Sequence, residues 1–142
     1  MSTFNKFYVL SEDLSSGVHD FRAISSTLKL MLSNVQPVFT NEIKNDITEI
    51  APGEGYTAGG EDINNDMVQV GGITTVSGED ITWTADPSGS GMAEFQYIVL
   101  YNDTPTTPLD PLIGWWDRGT AVNLISGDTH TADFGAAVFT VT

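Results

Sequence analysis

Cysteine is absent from this chain, which excludes disulfides, thiolate nucleophiles and cysteine-ligated metals and leaves cohesion to packing or to partners. Bases are nearly as scarce: five Lys and Arg stand against nineteen Asp and Glu, for a formal net charge of −14. A surface so acidic repels phosphate backbones and anionic lipids, and no basic stripe is present to release counterions, so direct nucleic-acid binding is not expected. Long apolar runs are missing as well. None approaches the ~18–20 residues that a membrane-crossing helix needs, and no membrane partner is expected. The N-terminal "MSTFNKFYVLSEDL" has no basic region followed by an apolar stretch and a cleavage site, so it does not read as a secretory leader.

The scarce bases are unevenly placed. Residues 1–44 hold four of them (Lys6, Arg22, Lys29, Lys44) against four acids (Glu12, Asp13, Asp20, Glu42), whereas residues 45–142 hold Arg118 alone against fifteen acids. The whole of the net charge therefore lies after Lys44. High surface acidity is an ordinary route to solubility at high local concentration.

What the chain does have is 40% hydrophobic residues arranged in short segments between turn residues. "TLKLML", Thr27 to Leu32, alternates Leu28, Leu30 and Leu32 with Lys29 and Met31, the period-two signature of a strand. "ITWTA", Ile81 to Ala85, places Ile81, Trp83 and Ala85 on one face and two threonines on the other. Glu94 to Tyr101 is apolar on both faces and predicts a central strand. Phe4 to Leu10 is a short aromatic segment. Four further segments, Leu112 to Asp117, Ala121 to Ile125, His130 to Phe134 and Ala137 to Val141, are separated by turn residues and predict a meander of hairpins.

Helical signals are few: a capped turn near Ser11, and a short helix near 41–49 from Ile43, Ile47 and Ile50. Ala51 to Gly78 is glycine-rich and reads as loop with one or two short strands near Met67 to Val70. The expected architecture is one mainly β domain spanning 1–142, an antiparallel β-sandwich or jelly-roll-like barrel with at most one or two short helices, residues 1–10 forming an N-terminal arm or edge strand. A domain of this length should bury roughly 68–70% of its unfolded surface, enough for an ordinary core.

Chemistry-bearing patterns are sparse. His19 and His130 are the only imidazole bases, no Gly-x-Ser-x-Gly elbow occurs, and both read as structural or surface histidines. "EDINND", Glu61 to Asp66, starts like a calcium loop but runs into Met67-Val68-Gln69-Val70 where further ligands belong. Glycine pairs near Gly53 and Gly59 carry acids that would repel phosphate. No catalytic, cofactor or metal residue is therefore assigned. Trp115 and Trp116, being adjacent, should point to opposite faces of a strand, one entering the core beside Ile113 and the other exposed, as a protein contact or a platform for a sugar ring. The proline-rich "NDTPTTPLDP" before them reads as a rigid connector or contact surface. Interface candidates are Phe4, Phe7, Tyr8, Trp115 and Trp116.

Several segments taken together, "KFYVLSEDLSSGVHDF", "STLKLMLSN", "TNEIKNDITEIAPGEGYTAGG" and "FQYIVLYNDTPTTPLDPLIGWWDRGTAVNLISGDTHTADF", resemble a family of small structural proteins of tailed-bacteriophage virions. The likeness is most specific in Gly55 to Gly60 and Tyr101 to Gly119, and it fits least well across Glu61 to Gly78. It implies a non-enzymatic virion component made in the bacterial cytoplasm. A capsid decoration or cement protein fits best: a homo-oligomer, dimer or trimer, bound to the major capsid protein or other virion proteins. A tail, baseplate or fibre component and a carbohydrate-binding module are the alternatives. The neutral first 44 residues would be the shell-facing or subunit-swapping part, and removal of Met1 to Leu10 would then abolish shell binding while leaving a folded domain.

Overall fold

The computed structural model describes all residues from Met1 to Thr142. Its frame is a five-stranded antiparallel sheet of β1 (Asn5–Lys6), β2 (Leu28–Ser33), β3 (Glu61–Asp62), β7 (Phe95–Asn102) and β8 (Leu112–Val122), in the order β1-β8-β7-β2-β3. β7 is central because its sequence is apolar on both faces. Ile98 and Leu100 point into one cluster, and Tyr97, Val99 and Tyr101 into another. A strand clothed on both sides needs a covered sheet.

The larger cluster lies beneath two small sheets. One contains β4 (Asp66–Val70), β5 (Ile73–Ser77) and β10 (Phe139–Val141) in the order β10-β5-β4; the other pairs β6 (Ile81–Thr84) with β9 (Thr129–Ala132). Val76 and Phe139 from the first and Trp83 and Ala132 from the second join Leu28, Leu30, Leu32, Ile98 and Trp116 in one core. The result is a β-sandwich-like fold, and the sheets do not close into a barrel. The opposite face of the main sheet is covered without a second sheet. Phe7 and Ile47, from the N-terminal segment and the 34–50 connection, close over Met31, Val99, Leu112 and Trp115.

The expected C-terminal meander does not form. Arg118-Gly119-Thr120, which reads as a hairpin turn, lies within β8 as a bulge: between Tyr97↔Asp117 and Phe95↔Val122, Gln96 alone faces the four residues 118–121. Asp117 Oδ1 holds the bulge, accepting from Gly119 N–H at 2.7 Å and from Gln96 Nε2 at 2.9 Å. β9 then leaves to pair with β6, and β10 with β5. The glycine-rich stretch does contain a hairpin. β4 and β5 are joined by Gly71-Gly72, both at positive φ, as a two-residue turn matched to strand twist requires.

Helix is limited to α1 (Val9–Ser15) and a 3-10 turn at Lys44–Asp46, which replaces the helix expected near 41–49. Leu10 and Leu14, four apart, turn inward from α1. Gly17 at φ +80° and a bond from Val18 N–H to the Asp13 carbonyl (2.8 Å) end it. Ser11 lies inside this helix and bonds the Tyr8 carbonyl instead of capping its start.

Candidate contact surface

β1 pairs with β8, Asn5 opposite Trp115 and Lys6 opposite Gly114, and Phe7 N–H continues the ladder to the Ile113 carbonyl at 3.1 Å. That pairing drives the Phe7 ring into the smaller cluster, with Val99, Leu112 and Trp115. At Tyr8 the chain turns toward α1, its N–H bonded to the Phe39 carbonyl (3.0 Å), and the phenol ring points to solvent. Tyr8 stacks on Phe39 with centroids 5.3 Å apart and planes 15° from parallel. Phe39 in turn packs on Trp115 at 4.7 Å, and Trp115 on Phe7 at 4.6 Å. Four rings thus run from the interior to the surface, where Tyr8 is 63% and Phe39 41% exposed.

Val35 and Val38 are also exposed on the connection that carries Phe39. A turn there is pinned in both directions: Val38 N–H donates to Asn41 Oδ1 (2.8 Å), and Asn41 N–H to the Val38 carbonyl (2.9 Å). Apolar side chains held this way lose little freedom on contact, which favours association. Glu12 and Glu42 line the shallow groove beside Tyr8.

Of the interface candidates named from sequence, Tyr8 alone is exposed, with one face of its ring stacked on Phe39. Phe7, Trp115 and Trp116 are buried within the chain, which corrects the expectation that one tryptophan of the pair would meet a partner. The physical reason is that both faces of the main sheet are covered by this chain itself. Phe4 is half-buried; its ring lies over Gly114, where a Cβ would come within 2.2 Å, and packs against Trp116 and Phe139. Trp83 is buried too, so no tryptophan offers a free face to a sugar ring. Phe39, Val35 and Val38 were missed. Their sequence signal was the uncharged run Leu30 to Asn41, whose second half has neither helical nor strand period and yet is rich in large apolar residues.

The histidines sit apart from this surface. His19 is buried against Phe21 (5.1 Å), with Nδ1 accepting from Asn102 Nδ2 at 3.1 Å. The same amide also reaches Ser26 Oγ, and its orientation is set by Thr104 N–H donating to Asn102 Oδ1. The imidazole proton therefore resides on Nε2, 3.9 Å from buried Asp13 Oδ2 and beyond hydrogen-bond reach. Burial lowers the His19 pKa to about 4 and raises that of Asp13, the latter with help from Glu12 and Glu42. Ser26 contacts the amide, not the imidazole, so the group is a buried polar network linking the β7 end to the 13–26 segment. His130 is half-buried, edge-on to Phe95 at 5.4 Å.

The remaining motifs do structural work. In "EDINND", Asn65 is buried, accepting from Leu28 N–H and donating to the Phe21 carbonyl, so it ties the loop to β2. No three His, Asp or Glu side chains converge as a metal-holding group. In "GYTAGG", Tyr56 OH donates to Glu49 Oε1 (2.6 Å) and accepts from Leu32 N–H, while Gly59 N–H meets the same carboxylate oxygen at 2.5 Å. Tyr101 OH donates to the Gly59 carbonyl at 2.5 Å. The proline loop is a tied connector: Asp110 N–H bonds the Pro105 carbonyl, the Asp110 carbonyl accepts from Lys44 N–H, and Thr104 Oγ1 accepts from Thr27 N–H.

No protein-family model, curated protein or solved structure matches this chain.

Proposed function

We propose that this protein is a structural component of a tailed-bacteriophage virion, most specifically a capsid decoration protein that binds the outside of the shell and bridges neighbouring subunits. The observation that carries the reading is the stacked Tyr8–Phe39 pair, an exposed aromatic anchor backed by buried Trp115 and flanked by Val35 and Val38. Interface energy concentrates in rigid aromatic anchors of this kind, surrounded by contacts that exclude water. The anchor lies in the near-neutral first 44 residues, so contact there avoids the repulsion carried by the acidic remainder. Many equivalent weak contacts on a symmetric shell add to a large stabilisation.

The resemblance in sequence and the placement of the anchor support one partner class, other virion proteins, and self-association into a dimer or trimer. The test is co-sedimentation of the purified chain with shells lacking it, together with its copy number in intact particles. Decoration predicts on the order of hundreds of copies bound to the shell surface, and the double variant Tyr8→Ser/Phe39→Ser stays folded but remains in the supernatant. A copy number of a few, or undiminished binding by that variant, overturns the reading.

A further inference from the structure

We infer that two copies of this chain pair through the free edge of β4, forming one continuous antiparallel sheet across a two-fold axis at Val68. β4 is the longest edge strand in the molecule, and all five of its residues are exposed. The other edges of the larger sheets are short: β1 and β3 have two residues each and carry Lys6 or Glu61 and Asp62, and β10 has three. Edge strands are ordinarily protected by charge, proline or a bulge. After Asp66, β4 has none of these.

The register follows from the turn. In a two-residue hairpin Val70 and Ile73 form the closing hydrogen-bonded pair, so Val68 and Asp66 also direct their backbone groups to β5, and Met67 and Gln69 direct theirs to the open edge. No bond from outside the hairpin reaches the Gln69 backbone or the Met67 carbonyl. Met67 N–H donates to Oδ1 of the preceding Asp66 at 2.9 Å, and the same oxygen accepts from Ala23 N–H at 3.4 Å. In a two-fold pair centred on Val68, Met67 of one copy lies opposite Gln69 of the other. Gln69 N–H then donates to the Met67 carbonyl across the axis at both ends, and Met67 N–H exchanges the Asp66 side chain for the Gln69 carbonyl.

The occupant is a second copy because the edge complements itself. Met67 to Gly78 is the longest uncharged stretch after Lys44, so two copies meeting along it set no acid opposite another. Asp66 lies opposite Val70 of the second copy and not opposite its own equivalent. Val68 meets Val68 in the close, non-hydrogen-bonded position where side chains contact most directly. The outer face of the joined sheet then carries Val68, Val70 and Ile73 from both copies in one apolar band.

From the virion reading this takes only that copies of the chain meet, and its test uses the purified full-length chain without shells, so either can fail alone. Sedimentation equilibrium from micromolar to hundreds of micromolar should show a monomer–dimer equilibrium, with the Gln69 amide gaining hydrogen-exchange protection as dimer forms. Val68→Lys and Val68→Glu each place like charges across the axis, so both should remain monomeric with unchanged circular dichroism. An equimolar mixture of the two should dimerise again. A wild-type chain that stays monomeric throughout, either variant dimerising as the wild type does, or a mixture that stays monomeric would each overturn the proposal.

Discussion

Trp115 and Trp116, adjacent in sequence, are buried on opposite faces of one sheet, each in a different cluster. Alternation alone would put Trp115 with Ile113. A bulge decides otherwise: Leu100 faces Gly114 and Tyr101 faces Leu112, so Ile113 is the extra residue and joins Trp116, while Trp115 joins Leu112. Trp115→Ala and Trp116→Ala should therefore cost similar amounts, about 3–5 kcal/mol each. Urea denaturation of the two variants checks this, and a value below about 1 kcal/mol for either would show that its face is not packed.

The N-terminal segment is structural as well as exposed. Phe7 and Leu10 are core residues and β1 is part of the main sheet, so removing Met1 to Leu10 strips packing from both clusters. Of the two expectations for residues 1–10, the structure shows the edge strand, and its packing argues against a domain that stays folded without them. The truncated chain should lose its cooperative thermal transition, whereas Tyr8→Ser, altering a largely exposed ring, should cost no more than about 1 kcal/mol.

Glycine 60 stands where only glycine fits. Its φ is +80°, and an added Cβ would lie 1.8 Å from the Leu30 carbonyl oxygen, a backbone atom of β2. Gly60→Ala should destabilise by more than about 3 kcal/mol, or prevent folding. Gly127→Ala is the control, with a similar φ of +81° and nothing within 4 Å, and should cost about 1–2 kcal/mol. Equal melting temperatures for the two variants would contradict the close approach.

Stability should fall as the solution is acidified from pH 7 to 5. The folded-state pKa of His19 is lowered to about 4 by burial, against 6.5 for the free side chain, so below 6.5 the unfolded chain takes up a proton that the native state refuses. The stabilisation is complete above that value and is lost as pH falls toward 4, amounting to about 2 kcal/mol between pH 7 and 5. Asp13 acts in the opposite sense, its raised pKa favouring the native state as pH falls through the carboxylate range, so the upper part of the window is the cleaner one. His130, lowered by burial and by Arg118, adds to the His19 slope. His19→Gln should reduce the pH dependence of the urea midpoint to the share left by His130; an unchanged slope would mean that His19 is protonated in the native state.

Much of the fold was legible locally. The alternation in "TLKLML" and "ITWTA" and the two-faced apolarity of Glu94 to Tyr101 correspond to β2, β6 and the central β7: β6 is covered on one face and keeps period two, β7 is covered on both and loses it, and β2, also covered on both, shows its alternation only through the half-buried Lys29. The contact surface was only partly legible. Tyr8 is legible from sequence, while Phe39 is hidden in a connection whose apolar residues follow no period; the strand expected near Met67 to Val70 is β4, but its pairing with β5 through the Gly71-Gly72 turn is not legible in a stretch so rich in glycine.

The sequence by itself determined the class of the fold, its cysteine-free acidic character and the segments able to form strands, since these depend on composition and on residues a few positions apart. Tertiary structure alone decided which strands pair, where β8 bulges, and which aromatic rings are inside. Those outcomes rest on contacts between distant segments such as β1 with β8 and β5 with β10, whose register is specified only once each strand's apolar set has a face to cover.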